Sequence, residues 1–487
     1  MNRSSGRPRL RAVVLVPLLM LLGACAVGPN FTRPEPPNVD RYDQVQVVLP
    51  SAGEGQPQQT LSAGSVPAAQ WWQAFGSAPL NDTVELALKG SPTLQEADAT
   101  LAAANETLTA VRGALFPQAD LGANASRGNS GGLTRTGGGS VRNLYDVGAA
   151  LDYSVDLFGG TRRRIEQQAA LVDFQRGQVG AAYLALTGDV VTAAINVASA
   201  LEELEAAQDI IAIDEHNLQL VQISESAGKS AGIDVLAAEG QLANDRALLP
   251  PLRQEIAVAQ HTLAILVGRT PAEWAAPEFA FADMTLPTDL PLTLPSEFVR
   301  ARPDILAAEA QLHAASAAVG VATAQLYPSL TLSGSWTTTG TTRSDLFSAN
   351  SDVWSIASGL TAPLFHGGTL RAEQRAAVQT LAAQLAAYRQ TVLLAFGQVA
   401  DALNALEHDA QAVAAQQAAL EASRASLELT QQSYEAGQTS FLQVLVTQRL
   451  FLQARIGIAR AESQRYLDTA LFFLVLGGDV VSAPQAQ

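Results

Sequence analysis

The sequence predicts a mainly α-helical protein that also carries membrane-spanning β-strands and is built by an internal tandem duplication. Three observations lead to this fold class. Long alanine-rich runs carry a seven-residue apolar repeat typical of coiled coils, and short segments of alternating apolar and small polar residues follow a proline in each half of the chain. The two halves also match each other along most of their length.

Composition restricts the class of protein. The net charge of −16 argues against a nucleic-acid partner, which would favour a basic surface. Apolar residues make up 48% of the 487 residues. After the N-terminal region no run of about 18 consecutive apolar residues occurs, so no membrane-spanning helix is expected there. The five histidines lack metal-ligand spacing and no G-x-S-x-G motif occurs, so we predict no enzyme, no metal and no cofactor.

The N-terminus has the order of a bacterial lipoprotein signal. Four arginines precede the apolar run 12–22, and the motif LGAC (22–25) follows it. Cys25 is the single cysteine of the chain and stands where a lipobox needs the residue that becomes acylated. We therefore predict removal of residues 1–24 and lipidation of Cys25, with an ordinary signal peptide and an incidental cysteine as the alternative. Ala26 resembles the next residue of lipoproteins that are sorted to the outer membrane.

Matching segments show the duplication. Pro92 and Pro303 each open an alanine-rich run, SPTLQEADATLAAANETLTAVRGALFP and RPDILAAEAQLHAASAAVGVATAQLYP, and the two runs align without a gap. Further along, SAGKSAGIDVL (226–236) pairs with EAGQTSFLQVL (435–445). Because proline and Ala-Gly recur at matched positions, chance similarity between alanine-rich segments is an inadequate explanation.

Each half is predicted to contain the same elements in the same order: a helix, a β-hairpin, a very long helix, a glycine turn and a last helix. In the first half the bounds are 92–116 for the first helix, 118–127 and 145–156 for the strands, 160–227 for the long helix, Gly228 for the turn and 231–267 for the last helix. In the second half the same elements have the bounds 303–327, 329–338 and 352–363, 368–436, Gly437 and 440–476. Pro250-Pro251 is expected to disrupt helix 231–267.

The chain is accordingly divided into six segments. They are a signal peptide (1–24), a lipid-anchored extended segment (25–79), a first repeat (80–268, with its hairpin at about 117–158), an equatorial linker (269–302), a second repeat (303–477, with its hairpin at about 328–365) and a C-terminal tail (478–487).

The long helices carry the coiled-coil signal. A helix of about 68 residues is about 100 Å long, and the two shorter helices of each half together approach that length. We therefore expect the shorter helices to stack end to end beside the long one. The apolar seam steps by three and four through Tyr183, Leu186, Val190, Ala193, Val197, Leu201, Leu204, Gln208 and Ile211 in the first half, and through Val378, Leu381, Leu385, Tyr388, Val392, Phe396, Val399, Leu403, Leu406, Ala410 and Val413 in the second.

The alternating segments have the length of membrane β-strands. Each half supplies one hairpin, so one chain supplies four strands, and open sheet edges are not tolerated in lipid. Two chains would give eight strands and a barrel filled by its own side chains, whereas three would give about twelve strands and a lumen. We therefore expect a homotrimer in which a periplasmic barrel of coiled-coil helices is continued by a 12-stranded transmembrane β-barrel. A soluble protein with two small hairpins is the alternative, and the lipoprotein signal argues against it.

Several motifs resemble the outer-membrane factor family of Gram-negative efflux systems, which is TolC-like and OprM-like and has a NodT-type lipoprotein branch. They are WWQAFGSAPLNDTVELAL (71–88), VDLFGGTRRR (155–164), ALLPPLRQEIAVAQHTLAILVGRTP (247–271), LPSEFVRARPDILAAEAQLHAASAAVGVATAQLYPSLTL (294–332) and SYEAGQTSFLQVL (433–445). The resemblance implies an outer-membrane channel that extends into the periplasm and serves as a passive exit duct for drugs or small toxic compounds. It also implies two partners: a periplasmic adaptor (membrane fusion) protein and an inner-membrane pump, foremost of the RND class.

The resemblance further implies a gate at the periplasmic tip, beside Gly228 and Gly437. Leu442 matches the apolar ring position of the family, and Asp234 matches an acidic position. A second acidic family position holds Val446 here, so an acidic ring is not expected at that level. Coiled-coil seam roles for Leu442 and Val446 are the alternative.

Two questions stay open at this point. The cluster Arg162, Arg163 and Arg164 follows a predicted strand, where it suits lipid phosphates or simply solvent. The same architecture would also serve as the outer-membrane duct of a type I protein secretion system, or as a non-conducting envelope scaffold lipoprotein.

Overall fold

A computed structural model of the chain describes residues 26–44, 47–53, 55–130, 140–347 and 352–478. The predicted lipidation residue Cys25 and most of the predicted C-terminal tail lie outside the described residues. The chain forms two compact units. Unit 1 comprises the residues up to Pro34, Thr100–Gln175 and Ala308–Tyr388, and unit 2 comprises Glu35–Ala99, Arg176–Ala307 and the residues from Arg389 onward.

The elements of the second repeat follow the order of those of the first. The α-helices are α1 (Ala78–Gly90), α2 (Pro92–Gly113), α3 (Gly160–Ser226), α4 (Gly232–Arg246), α5 (Leu249–Leu266), α6 (Pro295–Ala301), α7 (Pro303–Ala324), α8 (Thr369–Glu435) and α9 (Phe441–Leu476). The strands are β1 (Thr60–Ala63), β2 (Gln118–Ser130), β3 (Ser140–Val155), β4 (Asp289–Leu292), β5 (Ser329–Gly340) and β6 (Asp352–Thr361). Helix α2, strands β2 and β3, and helix α3 thus correspond to helix α7, strands β5 and β6, and helix α8.

A proline stands between helix and strand in both repeats. After α2, the amides of Leu115 and Phe116 donate to carbonyl oxygens three residues back, and the amide of Tyr327 does the same after α7. Pro117 and Pro328 follow these turns, and a proline cannot continue a helix because it lacks the amide hydrogen. The residue before a proline is also driven toward extended backbone. Each chain segment therefore leaves its helix and enters β2 or β5 at the matched position.

Burial along the long helices confirms most of the predicted coiled-coil seam. In α3, Val190 and Val197 are fully buried, and in α8 the same holds for Val399 and Leu406. Two predicted seam residues are exposed in the single chain: Gln208 of α3, and Val378 at the start of α8 with 44% exposure.

Helix 231–267 is disrupted at its proline pair, as predicted, and forms two helices, α4 and α5. The amides of Ala247 and Leu248 bond to carbonyls three or four residues back in a tight turn, and α5 then starts with Pro250 in its first turn. A proline is tolerated in the first turn of a helix, where its missing amide hydrogen costs nothing, but not in the interior. The proline pair therefore begins a new helix, while the proline-free α9 of the second repeat runs unbroken.

The segments predicted as an extended arm and a linker contain more structure than expected. Strand β1 of the arm pairs in parallel with β4 of the linker, helix α1 begins at Ala78, and helix α6 lies within the linker. Trp71, Trp72 and Phe75 form a short 3-10 helix between β1 and α1 and are buried. The β1–β4 pairing joins residues that are remote in sequence, so no local sequence pattern predicts it.

The shorter helices of each repeat meet end to end in unit 2, as predicted: the end of α5 meets the start of α2, and the end of α9 meets the start of α7. Gly268 after α5 and Gly477 after α9 both have left-handed backbone, with φ of 76° and 84°. A Cβ atom at Gly268 would lie 2.1 Å from the carbonyl oxygen of Gly90, just ahead of α2. A Cβ atom at Gly477 would lie 3.3 Å from Cα of Arg302, just ahead of α7. Glycine is needed at both junctions because it alone adopts this φ freely.

Helices α3 and α7 contain apolar windows long enough to cross a membrane. However, 61% and 56% of these windows is buried inside the chain. Core helices of a bundle have the same length and composition, so these windows do not indicate a membrane span.

Candidate functional site

Strands β2, β3, β5 and β6 form one antiparallel sheet in that order, and all four belong to unit 1. The register sets Leu121, Ala149, Trp336 and Trp354 side by side across the sheet. Since successive side chains alternate between faces, one face is largely apolar. The further apolar residues that the register assigns to this face are Ala119, Ala123, Val147, Leu151, Tyr153, Leu330, Leu332, Ile356 and Leu360.

The opposite face of the sheet is polar. The Nδ2 atom of Asn124 on β2 donates to Oδ1 of Asp146 on β3 at 3.4 Å, and the hydroxyls of Ser335 and Ser355 are 2.9 Å apart. An apolar and a polar face on strands of this length is the pattern of a membrane sheet with lipid on one side and water on the other. Other polar residues that share this face are Asp120, Asp152, Thr331, Ser333 and Thr337.

The two edges of the sheet are free in a single chain. Among the described residues β2 and β6 each pair with one neighbour only, and every residue of β6 is exposed. Trp354 and Ile356 are 71% and 83% exposed. Long, flat, apolar edge strands are a template for pairing with another chain, which soluble proteins avoid.

The first residues after Cys25 lie in a socket at the corner between β3 and α3. Arg163 is only 4% exposed there. Its guanidinium donates to the carbonyl oxygens of Val27 and Gly28, at 3.1 and 3.3 Å, and to Oδ1 of Asn30 at 2.8 Å. The amide of Val27 in turn donates to the carbonyl oxygen of Phe158 at 3.0 Å. We call this arrangement the anchor socket.

Glycines let the backbones approach closely in the anchor socket. Gly28 has a φ of 93°, and a Cβ atom on it would lie 2.4 Å from Cα of Gly320 in α7. A Cβ atom on Gly159 would lie 2.6 Å from Ala26. Neither space admits a side chain, so the segment after Cys25 is fitted to this one place on unit 1.

A second layer supports Arg163. Its Nη1 atom donates to Oε2 of Glu166 at 2.7 Å, and Oε1 of Glu166 is 3.1 Å from Nε2 of His313. The His313 ring stacks on Phe31, with centroids 4.3 Å apart. Burial alone would raise the pKa of Glu166, but the hydrogen bonds from Arg163 and His313 outweigh it and hold that pKa below its usual value.

The arginine cluster therefore divides into different roles. Arg163 is buried and binds the N-terminal segment. Neither of the two roles predicted for the cluster, contact with lipid phosphates or exposure to solvent, included this role. Arg162 and Arg164 are exposed, and Nε of Arg162 lies 3.2 Å from Oδ2 of Asp156.

The glycine turns of the two repeats have the same geometry in unit 2. Gly228 and Gly437 have φ of 72° and 70°. In both turns, the amide of the residue after the glycine donates to a carbonyl five positions back at 2.8 Å, and the glycine amide donates to a carbonyl three positions back. These are Schellman motifs, which end a helix with a left-handed glycine.

The two helical hairpins pack together beside these turns. Val221 of α3 and Ala238 of α4 share a buried apolar cluster with Phe441, Val444 and Leu445 of α9.

Leu442 does not join this cluster, since its side chain is 63% exposed. That exposure excludes a seam role for Leu442 within one chain, whereas Val446 is half-buried. Asp234 has a local role in the first turn of α4. Its carboxylate accepts a hydrogen bond from the amide of Ala231 at 3.3 Å, and a negative charge is favourable at a helix N-terminus.

Sequence reasoning located both glycine turns but missed the anchor socket. Arg163 and Val27 are separated by 136 positions, and the arginine run gives no sign of which member is buried. The VGPNF stretch (27–31) directly after the lipobox was the one available signal.

A helical protein with an amphipathic, open-edged membrane sheet belongs to the class of outer-membrane channels. The family model for outer membrane efflux proteins matches residues 83–269 and 294–478, and the chain belongs to this family. The two matched ranges correspond closely to the two repeats.

Named relatives agree with this assignment. The chain is 31% identical over 475 residues to the pyoverdine export outer membrane protein OpmQ of Pseudomonas putida, covering 96% of this chain and 97% of OpmQ. It is 30% identical over 458 residues to nodulation protein T of Rhizobium leguminosarum bv. viciae, covering 94% and 90% of the two chains. The solved structure of the outer-membrane channel OprN is similar with a TM-score of 0.84 at 30% identity, covering 94% of this chain and 100% of OprN.

These findings confirm the predicted family, the helical-barrel fold class and the outer-membrane location, including the likeness to the NodT branch, while the number of strands in the barrel and the lipid anchor stay predictions. The chain is an outer-membrane efflux channel protein. A non-conducting scaffold is therefore not supported.

Proposed function

We propose that three copies of this chain form one passive exit duct for drugs or small toxic compounds, with four strands per copy in a shared barrel. The free edges β2 and β6 of the amphipathic sheet carry this proposal. Because the sheet is antiparallel with an even number of strands, β6 of one copy runs antiparallel to β2 of the next, as a closed barrel requires. Two copies would fill the interior with side chains, so a conducting lumen favours three.

The anchor socket supports lipidation of Cys25 as part of this function. It fixes Ala26 and Val27 beside the end of β3, so the acylated residue would stand next to the membrane sheet of the same unit. The chain would then be held at the periplasmic surface of the outer membrane by both its lipid and its strands.

The duct has no energy source of its own in this proposal. A periplasmic adaptor and an inner-membrane pump, of the RND class, would deliver the compounds and supply the energy. The gate would lie at the glycine turns Gly228 and Gly437, with Leu442 forming an apolar ring. The exposure of Leu442 beside an otherwise buried cluster supports this role, because a ring residue needs partners from other copies. Asp234 would add negative charge near the aperture while capping α4.

Cysteine cross-linking across the free edges tests the number of copies. One cysteine is placed at Asn124 on β2 and one at Ser355, Ala357 or Gly359 on β6, all on the polar face. Oxidation in membranes should give a covalent ladder that ends at three copies. A ladder that ends at two copies, or continues beyond three, would contradict the proposal, and the single-cysteine variants serve as controls.

A further inference from the structure

Helices α3, α4 and α9 are joined in unit 2 by a buried polar cluster. Gln448 of α9 lies at its centre: its amide nitrogen donates to Oδ1 of Asp214 at 2.6 Å, and its amide oxygen accepts from Nδ2 of Asn217 at 3.0 Å. Both of these partners lie on α3. On α4, the carboxyl of Asp245 faces Asp214 and accepts a hydrogen bond from Gln241 at 2.8 Å. We call these five residues the polar tie.

The polar tie contains a second carboxyl close to Asp214 and one carboxyl oxygen without a hydrogen-bond donor among the described residues. Asp214 and Asp245 are only 2% and 5% exposed. The buried Oδ2 atom of Asp214 has no hydrogen-bond donor among the described residues, and the carboxyl of Asp245 lies within hydrogen-bonding reach of the Asp214 side chain. Two carboxylates cannot both ionise cheaply without water, so one proton shared between them supplies the missing hydrogen bond. Burial first, and then the hydrogen bond and charge of Asp245, raise the pKa of Asp214 to about 8.

The surroundings of this carboxyl pair contain no closely paired cation in the described structure. The group that faces Asp214 from α9 is the uncharged amide of Gln448, whose oxygen is in turn bound by the amide of Asn217. The ion pair of Glu215 with Arg246 lies beside the tie, with atoms 2.6 Å apart, but both side chains are about half exposed. Solvent screens an exposed pair of this kind, so it compensates little of the buried charge.

We propose that the polar tie is a proton-dependent latch between the α3–α4 hairpin and helix α9, and that loss of the shared proton releases α9 and opens the channel tip. The inference rests on the proposed gate, since α9 carries Leu442. With the proton lost, two negative charges repel each other in a site poor in water, and separation of the helices with entry of water relieves the repulsion. The buried apolar cluster around Phe441 lies between the tie and the glycine turns, so the same movement loosens it.

Hydrogen–deuterium exchange of the full-length protein tests the latch directly. Exchange in Phe441–Leu452 is compared at about pH 6.5 and about pH 9, after correction for intrinsic exchange rates. Opening lets the buried carboxyl ionise as an ordinary aspartate, so the opening equilibrium should rise by up to about tenfold per pH unit below the raised pKa and level off above it. Local opening in the wild type should therefore increase by about thirtyfold between the two pH values. The Asp245→Asn variant keeps a hydrogen-bond donor beside Asp214 and removes the second charge, so its pH response should be clearly smaller than that of the wild type although burial of Asp214 remains.

Two further variants separate the latch from general destabilisation. The exposed neighbour is removed in Glu215→Gln, which should retain the full pH response. Gln448→Leu breaks both amide hydrogen bonds and should show fast exchange in α9 already at the lower pH. An equal pH response in Asp245→Asn and in the wild type, or no response in the wild type, would overturn the inference.

Planar-bilayer conductance links the latch to the gate. The wild type should conduct more at the higher pH, and Asp245→Asn should gain clearly less. If the Leu442→Ser variant conducts but the wild type gains nothing at high pH, the latch inference fails while the proposed gate stands. If Leu442→Ser does not conduct either, the proposed gate itself fails.

Discussion

Arg163 shows how much one buried side chain does in this protein. It binds two carbonyl oxygens and the Asn30 side chain of a segment that precedes it by more than 130 positions. Glu166 compensates its charge, and a planar guanidinium can serve all these acceptors together where a lysine ammonium cannot. The position of the N-terminal segment therefore depends on arginine itself rather than on positive charge.

Replacement of Arg163 by alanine should release the N-terminal segment. The change removes a buried, hydrogen-bonded cation and leaves its acceptors unpaired, so we expect a loss of about 3 kcal/mol in stability. Arg163→Lys should lose part of this. Hydrogen exchange at Val27 should rise strongly in the alanine variant. The exposed Arg164→Ala is the matched control and should change stability by less than about 0.5 kcal/mol. Equal effects of Arg163→Ala and Arg164→Ala would show that the anchor socket does not stabilise the protein.

Among the elements, the glycine turns have an unusually simple requirement. The space around Gly228 and Gly437 is open, since a Cβ atom on either would meet nothing within 4 Å. Only their positive φ demands glycine. A substitution at either glycine therefore measures backbone strain alone, without a steric clash.

Alanine at Gly437 should destabilise the α8–α9 turn by about 1 kcal/mol, because a Cβ atom is strained in left-handed backbone. Gly240 provides the matched control. It lies exposed inside α4 with nothing near its missing side chain, so Gly240→Ala should instead stabilise the helix by up to about 1 kcal/mol. Thermal unfolding of the two variants measures these opposite signs, and effects of the same sign would contradict the explanation.

At the scale of the whole molecule, the proposed gate predicts a leak. Leu442→Ser would replace an apolar ring by a polar one, so cells should become more sensitive to large antibiotics that the outer membrane normally excludes. Leu450→Ser is the control, since Leu450 is also exposed on α9 but lies farther from the glycine turn. Unchanged sensitivity of the Leu442→Ser strain, at equal protein level, would remove Leu442 from the gate.

The buried carboxyls predict a pH dependence of overall stability. Burial, followed by the effects of Asp245 and Asp468, raises the pKa of Asp214 to about 8 and that of Asp409 to about 7, from 3.8. Between pH 3.8 and each raised pKa, the folded state keeps a proton that the unfolded state has released, so the free energy of unfolding falls as the pH rises. The expected slope is roughly 1 kcal/mol per pH unit for each carboxyl.

Unfolding measured between about pH 5 and about pH 9 checks this slope. Asp214→Asn and Asp409→Asn should each flatten it, while the exposed Glu215→Gln should leave it unchanged. A stability that rises with pH over this range would show that these carboxyls are ionised in the folded protein.

Much of this architecture could be predicted from local patterns. The proline after each first helix, the alternation in Leu330–Trp336 and the glycines at 228 and 437 act within a few residues of backbone, so they can be recognised without a structure. The duplication strengthened each of these predictions, because every signal occurs twice. The proline pair in 231–267 predicted the disruption of that helix but not that a new helix starts at the pair.

The tertiary structure alone decided which distant residues meet. The sequence by itself determined the helices and strand faces of the two repeats, the shortage of strands in one chain and the family. It could not determine that Arg163 holds Val27, that β1 pairs with β4, or that Asp214, Asp245 and Gln448 share one buried site. Patterns of period two or 3.6 report on neighbours within one element, whereas these contacts arise only when remote elements pack and exclude water.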